Sequence, residues 1–226
     1  MDKAVRSRLF TSALRVVFMG ARERRERDRE KRREQILDAA RKLLLKDGLA
    51  RTSVNRIAKK AELSVGTIYF YFANKEDVFA ELQREGLGIL HREILSRTDG
   101  IEKPDRKLEA CARVYLDFSE ENADYFDVIN YFLSQPRIFF TNGVKKSIDL
   151  QGAKVLKHME QIVAEGVREN IFSEPRPANF AAFFWASIHG LVQVKKLRGT
   201  VIESESYIDF YLYSVNKLID SIRRHQ

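Results

Sequence analysis

The sequence predicts an all-α protein of about nine helices, and three observations lead there. Apolar residues recur at helical spacing along most of the 226-residue chain, and no convincing stretch alternates with the period of a strand. Breakers such as Gly48, Thr98-Asp99-Gly100, Pro104, Pro136, Asn142-Gly143, Pro175, Pro177 and Gly199 fall between the periodic runs rather than inside them. Charge is unevenly placed: residues 1–34 hold 12 Lys/Arg against 6 Asp/Glu, so six of the eight net positive charges lie there. The expected layout is a basic arm over 1–33, helical or disordered, a small helical domain over 34–80 and a larger one over 81–226.

Composition sets bounds. The chain is 44% hydrophobic, enough for a proper core, and 32% charged. No apolar run approaches the roughly 18–20 residues of a membrane span, so no membrane role is expected. A single cysteine, Cys111, excludes an intramolecular disulfide and a Cys-rich zinc site and fits a reducing cytoplasm. Between Ala110 and Ala112 it reads as a small packing residue, with redox sensing the weaker alternative.

In chain order, residues 1–21 mix Arg, Ser and apolar side chains. They read as a targeting peptide, a loose arm, or an over-extended gene start with Met19 as the true initiator. Residues 22–34, RERRERDREKRRE, have good helix formers but no apolar face. They read either as a solvated helical extension or as a basic arm for phosphates or a minor groove. A core helix follows from Gln35, with Ile36, Leu37, Ala40, Leu43 and Leu44 on one stripe and Gly48 at its C-terminal cap.

The organising stretch is Thr52–Lys75, TSVNRIAKKAELSVGTIYFYFANK. Val54, Ile57, Ala58 and Ala61 stripe one short helix. Ser64 is the expected N-cap of the next, with Leu63 before it and Ile68 after it spaced as a hydrophobic staple. Ile68 and Phe72 then point inward, leaving Val65, Gly66, Thr67, Phe70 and Tyr71 nearer the outside. Exposed aromatics and a hydroxyl with little charge suit a surface that brings its own charge, such as DNA. Asn74 caps a fourth helix, with Glu76 and Asp77 in its first turn where the dipole favours acids. That helix runs towards Ser96, and five more are expected at about 105–121, 122–134, 143–170, 178–198 and 204–223.

The run AKKAELSVGTIYFYFANK, residues 58–75, resembles the helix-turn-helix of the TetR family of bacterial transcriptional regulators, over roughly residues 34–80. One departure is Glu62, where that pattern has Gly at a turn position that often needs positive φ. The resemblance implies a homodimer on a palindromic operator in double-stranded DNA, in a bacterial cytoplasm, and it favours the loose-arm or over-extended-start readings of residues 1–21. It places Ser64, Val65, Gly66, Thr67, Tyr69, Phe70 and Tyr71 at or near the DNA. Thr52, Ser53 and Lys75 are expected on phosphates, with Arg51 and Arg56 as weaker candidates.

The resemblance also implies an effector cavity among the later helices, where large rings concentrate. The pool for a small hydrophobic effector, fatty acyl or aromatic, is Tyr115, Phe118, Tyr131, Phe132, Met159, Trp185 and His189; most other rings, Phe139 and Phe140 among them, read as core. The last two helices resemble the family's dimerisation element. Phe184, Ile188, Leu191 and Val192 stripe one, and Ile208, Tyr211, Leu212, Val215 and Ile219 the other. No G-x-G-x-x-G, Walker loop or H-E-x-x-H is present, and His91, His158, His189 and His225 are scattered, so no cofactor, catalytic residue or metal site is expected. The rivals are a constitutive DNA-binding regulator, which predicts a filled C-terminal core, and a helical-bundle enzyme, which needs titratable groups converging on a cavity.

Overall fold

A computed structural model describes residues 3–134, 142–199 and 206–224. Pro136, Phe139, Phe140, His225 and the first residues of the helix expected at 204–223 lie outside them. The described residues form nine α-helices and one short 3-10 turn: α1 Lys3–Arg51, α2 Val54–Lys60, α3 Val65–Tyr71, α4 Lys75–Thr98, α5 Pro104–Glu121, α6 Ala123–Leu133, α7 Asn142–Arg168, α8 Pro177–Val194, the turn Lys195–Leu197, and α9 Tyr207–Asp220. The chain divides into two compact units, Met1–Phe79 and Ala80–Gln226.

In the first unit the charged run over 22–34 is helical and continuous with the core helix. Apart from half-buried Arg33 its residues stay in solvent, because the run has no apolar stripe to bury, whereas Ile36, Leu37, Ala40 and Leu44 form one and are buried. Helical geometry stops at Gly48, whose φ of 75° costs a residue without a side chain little. The stripe of α1 packs on α2, and α2 on α3; Ile57, Ala58 and Ala61, Ile68 and Phe72, and Val78 and Phe79 at the start of α4 are all buried in this unit. Polar contacts tie the same pieces. The Gln35 amide donates to the Ala61 carbonyl at 2.6 Å, and the Arg33 guanidinium lies 5.8 Å from the centre of the Phe72 ring.

The second unit is built around α5, whose Leu108, Cys111, Ala112, Tyr115 and Phe118 are buried against α6, α7, α8 and α9. Buried phenols find partners, as the cost of an unpaired polar group demands. Tyr211 donates to the Ala112 carbonyl at 2.8 Å and Tyr207 to the Leu191 carbonyl at 2.6 Å. Prolines 104 and 177 open α5 and α8, where a missing N–H costs nothing. Cys111 is fully buried, and burial pushes its thiol up to about 12, so it sits as a packing residue rather than a reactive thiolate.

At the end of α7, Asn170 takes φ 59° and Ile171 N–H donates back to the Gly166 carbonyl. That reversal lays Phe172 directly over Gly166, where a Cβ would clash with the ring. The end of α9 is pinned alongside: Ser173 N–H donates to Ile222 and Arg224 N–H to Ile171.

Candidate functional site

The α2–α3 connection is shaped by backbone hydrogen bonds. Leu63 N–H reaches the Ala58 carbonyl at 2.9 Å and Glu62 N–H the Lys59 carbonyl at 3.3 Å, the bonding pattern of a Schellman cap. Such a cap needs a left-handed residue, and Glu62 supplies it at φ 55°. The side-chain strain of that conformation is about 1 kcal/mol. Ser64 then caps α3: its hydroxyl oxygen accepts from Thr67 N–H at 3.0 Å and lies 2.8 Å from the Thr67 hydroxyl. Ile68 is fully buried and Phe72 nearly so, while Val65, Gly66, Tyr69 and Phe70 face outward. Phe70 is 74% exposed and Tyr69 55%. Tyr71 is half-buried and meets Phe70 edge-on at 5.2 Å.

Around this face the polar side chains divide into free and committed. Ser53 caps α2 by accepting from Arg56 N–H, which leaves its O–H able to donate elsewhere. Thr52 is 1% exposed and its hydroxyl donates to the Gly48 carbonyl at 2.8 Å. Its side chain fastens the end of α1 and offers no hydroxyl to a phosphate, against the sequence expectation. The reason is local: once Gly48 breaks α1, a carbonyl is left needing a donor. Arg56 is held by the Asp47 carboxylate and the Arg51 carbonyl. The Lys75 ammonium makes one long 3.5 Å contact to the Thr52 carbonyl, leaving donors to spare.

The second unit holds an apolar cavity of about 240 Å³. Its walls come from four helices: Gln83, Leu87 and Leu90 of α4, Ile129 and Leu133 of α6, Ile148 and Val155 among others of α7, and Trp185 of α8. The Trp185 ring stacks on His189 with centroids 5.5 Å apart, and Tyr115 places its phenol 2.7 Å from His189 Nδ1. Burial raises the Tyr115 phenol, which stays protonated and donates, and lowers His189, which stays neutral and accepts. A wider polar cleft of about 620 Å³ lies between the ends of α4, α5 and α7. There Lys107 is paired with both oxygens of Glu165 at 2.8 Å, and His158 Nε2 sits 2.9 Å from the Thr98 hydroxyl. Among the described residues no three His, Cys, Asp or Glu side chains converge as a metal would require.

Residues 36–82 match the family of bacterial regulatory proteins, tetR family. The chain is 44% identical over 54 residues to the fatty acid metabolism regulator protein of Bacillus subtilis (strain 168), covering 24% of this chain and 28% of that one. It is 35% identical over 79 residues to the HTH-type transcriptional regulator HbdR of Aromatoleum sp. (strain CIB), covering 35% of this chain and 34% of that one. Its fold is similar to that of the transcriptional regulator FadR from Bacillus subtilis in complex with stearoyl-CoA. There the TM-score is 0.70 over 84% of this chain and 99% of that one, at 20% identity. Residues 36–82 form a TetR-family domain. The chain spans about a third of the length of these two curated relatives, and the structural likeness at this identity is one of fold.

On this TetR fold the predicted residues separate. Ser64, Val65, Gly66, Thr67, Tyr69, Phe70 and Tyr71 lie together on or beside the outward side of α3, with Ser53 and Lys75 at the starts of α2 and α4. Lys59 and Lys60 were missed. They are exposed in the last turn of α2, and their place opposite the stripe Val54, Ile57, Ala58 and Ala61 was the signal. Of the effector pool only Trp185 lines the cavity. Tyr115, Phe118 and Met159 are at most 2% exposed and fill the core, His189 backs Trp185, and Tyr131 and Phe132 pack edge-on at 5.4 Å beside it on α6. Gln83, Leu87 and Leu90 were missed, although their i, i+4, i+7 spacing marks one face of α4.

Most of the two stripes read as dimerisation surface face inward. Phe184, Ile188, Val192, Tyr211, Val215 and Ile219 are buried within the subunit, Leu191 and Leu212 are half-buried against the same core, and only Ile208 is exposed. The strongest apolar stripe of each helix is claimed first by its own core. What α8 leaves outside is Ala178, Asn179, Ala182, Phe183, Ala186 and Gly190, whereas α9 exposes Ile208 and Tyr213 together with Asp209, Asn216 and Lys217.

Proposed function

We propose that this TetR-family protein is a homodimeric DNA-binding transcriptional regulator, a repressor released from a palindromic operator by a small hydrophobic molecule. The observation that carries the reading is α3. It is a short rod, capped by Ser64 and anchored by buried Ile68, whose outward side holds Val65, Gly66, Tyr69 and Phe70. A helix of that kind fits a major groove, where aromatic and methyl groups meet thymine methyls and hydroxyls meet base edges or phosphates. Lys59, Lys60 and Lys75 supply the cations that a phosphate backbone rewards.

The outward apolar strip of α8 supports a two-fold partner, and two copies of α3 spaced by about one DNA turn, roughly 34–36 Å, match a palindrome. The cavity supports an effector and counts against a constitutive regulator, which called for a filled core. Helix α4 carries Lys75 in the first unit and Gln83, Leu87 and Leu90 in the second, so one helix serves both. An effector releases DNA only by binding the DNA-incompetent arrangement more tightly, with couplings typically about 1–3 kcal/mol. Such a protein works in the cytoplasm, beside its operator.

The test is a gel shift at fixed salt on DNA selected by the purified protein. Tyr71→Ala is expected to cost on the order of tenfold or more in affinity for the selected site. Lys75→Ala is expected to weaken selected and random duplexes alike and to flatten the salt dependence by about one phosphate contact. A folded double variant that holds its operator as tightly as the parent would refute the assignment.

A further inference from the structure

Gln83 is a polar side chain in a wall that is apolar but for Asp149. It is 6% exposed, it lines the 240 Å³ cavity, and its Oε1 is buried with no hydrogen-bond partner. An amide oxygen left so keeps its desolvation cost with no bond to offset it, and a core position that merely filled space would be stabler with leucine. We infer that the cavity takes a small, neutral, ring-sized apolar molecule whose one hydroxyl group hydrogen-bonds to Gln83. The inference rests on the effector reading and narrows it.

Size argues first. The cavity is below the roughly 300–1,000 Å³ of sites that hold drug-sized ligands, so a single ring with a short substituent fits and a long acyl chain does not. Trp185 presents a ring whose stacking on His189 holds it in place, a flat wall against which another ring packs. Charge argues next. Among the described residues the one ionisable side chain lining the cavity is Asp149, already paired with Lys145, and none of those lining it is cationic. A buried ligand carboxylate would lack a counter-charge there. The hydroxyl follows from the amide itself. As placed, Oε1 requires a donor; with the amide turned over, its N–H groups would require an acceptor. A hydroxyl is both, and answers either orientation.

Trp185 is the single tryptophan of the chain, so its emission reports on this cavity alone. The full-length protein is titrated with 4-ethylphenol, with ethylbenzene, which lacks only the hydroxyl, and with stearoyl-CoA. The expected result is a change in emission with 4-ethylphenol, at least tenfold tighter binding of it than of ethylbenzene, and no displacement of it by stearoyl-CoA. In Gln83→Leu, which should melt no earlier than the parent, the two small rings are expected to bind within about twofold of each other. Equal binding of the pair by the parent protein, or a preference undiminished in Gln83→Leu, overturns the role of Gln83. Displacement by stearoyl-CoA overturns the size limit, and an unchanged emission overturns the site. A gel shift on selected DNA keeps the two readings apart: a phenol that binds but releases no DNA sinks the effector reading and leaves this one standing.

Discussion

Phe70 of α3 and Phe183 of α8 both stand in solvent, 74% and 54% exposed, and each has a phenylalanine close by in sequence that is buried, Phe72 and Phe184. The surroundings of the exposed rings differ. Phe70 shares its side of α3 with Tyr69, Val65 and Gly66, and the helix before it ends in exposed Lys59 and Lys60. Phe183 shares its side of α8 with Ala182, Ala186 and Gly190, and no charged residue interrupts that face from Ala178 to Val194. One surface is rough, polar-edged and next to positive charge, as a charged groove requires. The other is smooth and uncharged, as a second apolar helix requires. An exposed ring therefore takes its meaning from what flanks it and not from its exposure.

The largest effect expected from breaking this contrast is at α8. Phe184→Ala empties a fully buried site and should destabilise the subunit by about 3–5 kcal/mol, read as the urea midpoint. Phe183→Glu, one residue earlier, should leave the urea midpoint of the monomer nearly unchanged. It should instead convert dimer to monomer in sedimentation, with operator affinity falling alongside. Unaltered sedimentation would remove the outward strip of α8 as the interface.

A smaller change sharpens the α3 side. Glu62→Gly relieves the left-handed conformation and should stabilise the fold by about 1 kcal/mol, measured in urea, without altering operator affinity. A loss of stability would mean that the Glu62 side chain contributes more than its backbone strain removes.

The smallest effect is a pH dependence confined to the second unit. His91, His158 and His189 all have their pKa lowered, burial being the first cause in each. The folded protein therefore resists protonation that the unfolded chain accepts from about pH 6.5 downward, so their contribution to stability is intact above that value and is lost as pH falls through the lowered ones. The melting temperature should be lower at pH 5.5 than at 7.5, and the difference should shrink in His189→Gln, which removes one titratable ring while still offering Tyr115 an acceptor. A melting temperature that rises on acidification would contradict the burial of these rings.

Much of the first unit could be read in advance because its determinants are local. The Ser64 cap, the positive φ at position 62, the Asn74 cap (accepting from Asp77 N–H at 2.8 Å) and the inward Ile68 and Phe72 all depend on residues within four or five positions of each other. Thr52 escaped because its partner, the Gly48 carbonyl, becomes free only where α1 breaks. The second unit hid more. Tyr115, Phe118 and Met159 have the composition of pocket walls, yet long-range packing put them in the core and gave the cavity to α4, through Gln83, Leu87 and Leu90, with α6, α7 and Trp185.

By itself the order of residues determined the helices, their caps and breaks, and which side of the short α3 turns outward, since helical period and capping act over one or two turns. Only the tertiary structure decided which apolar stripes of α8 and α9 the subunit keeps for itself, where its interior leaves a space, and that Gln83 faces that space without a partner. Burial is assigned by whichever helices arrive to compete for a surface, and a single helix carries no record of that competition.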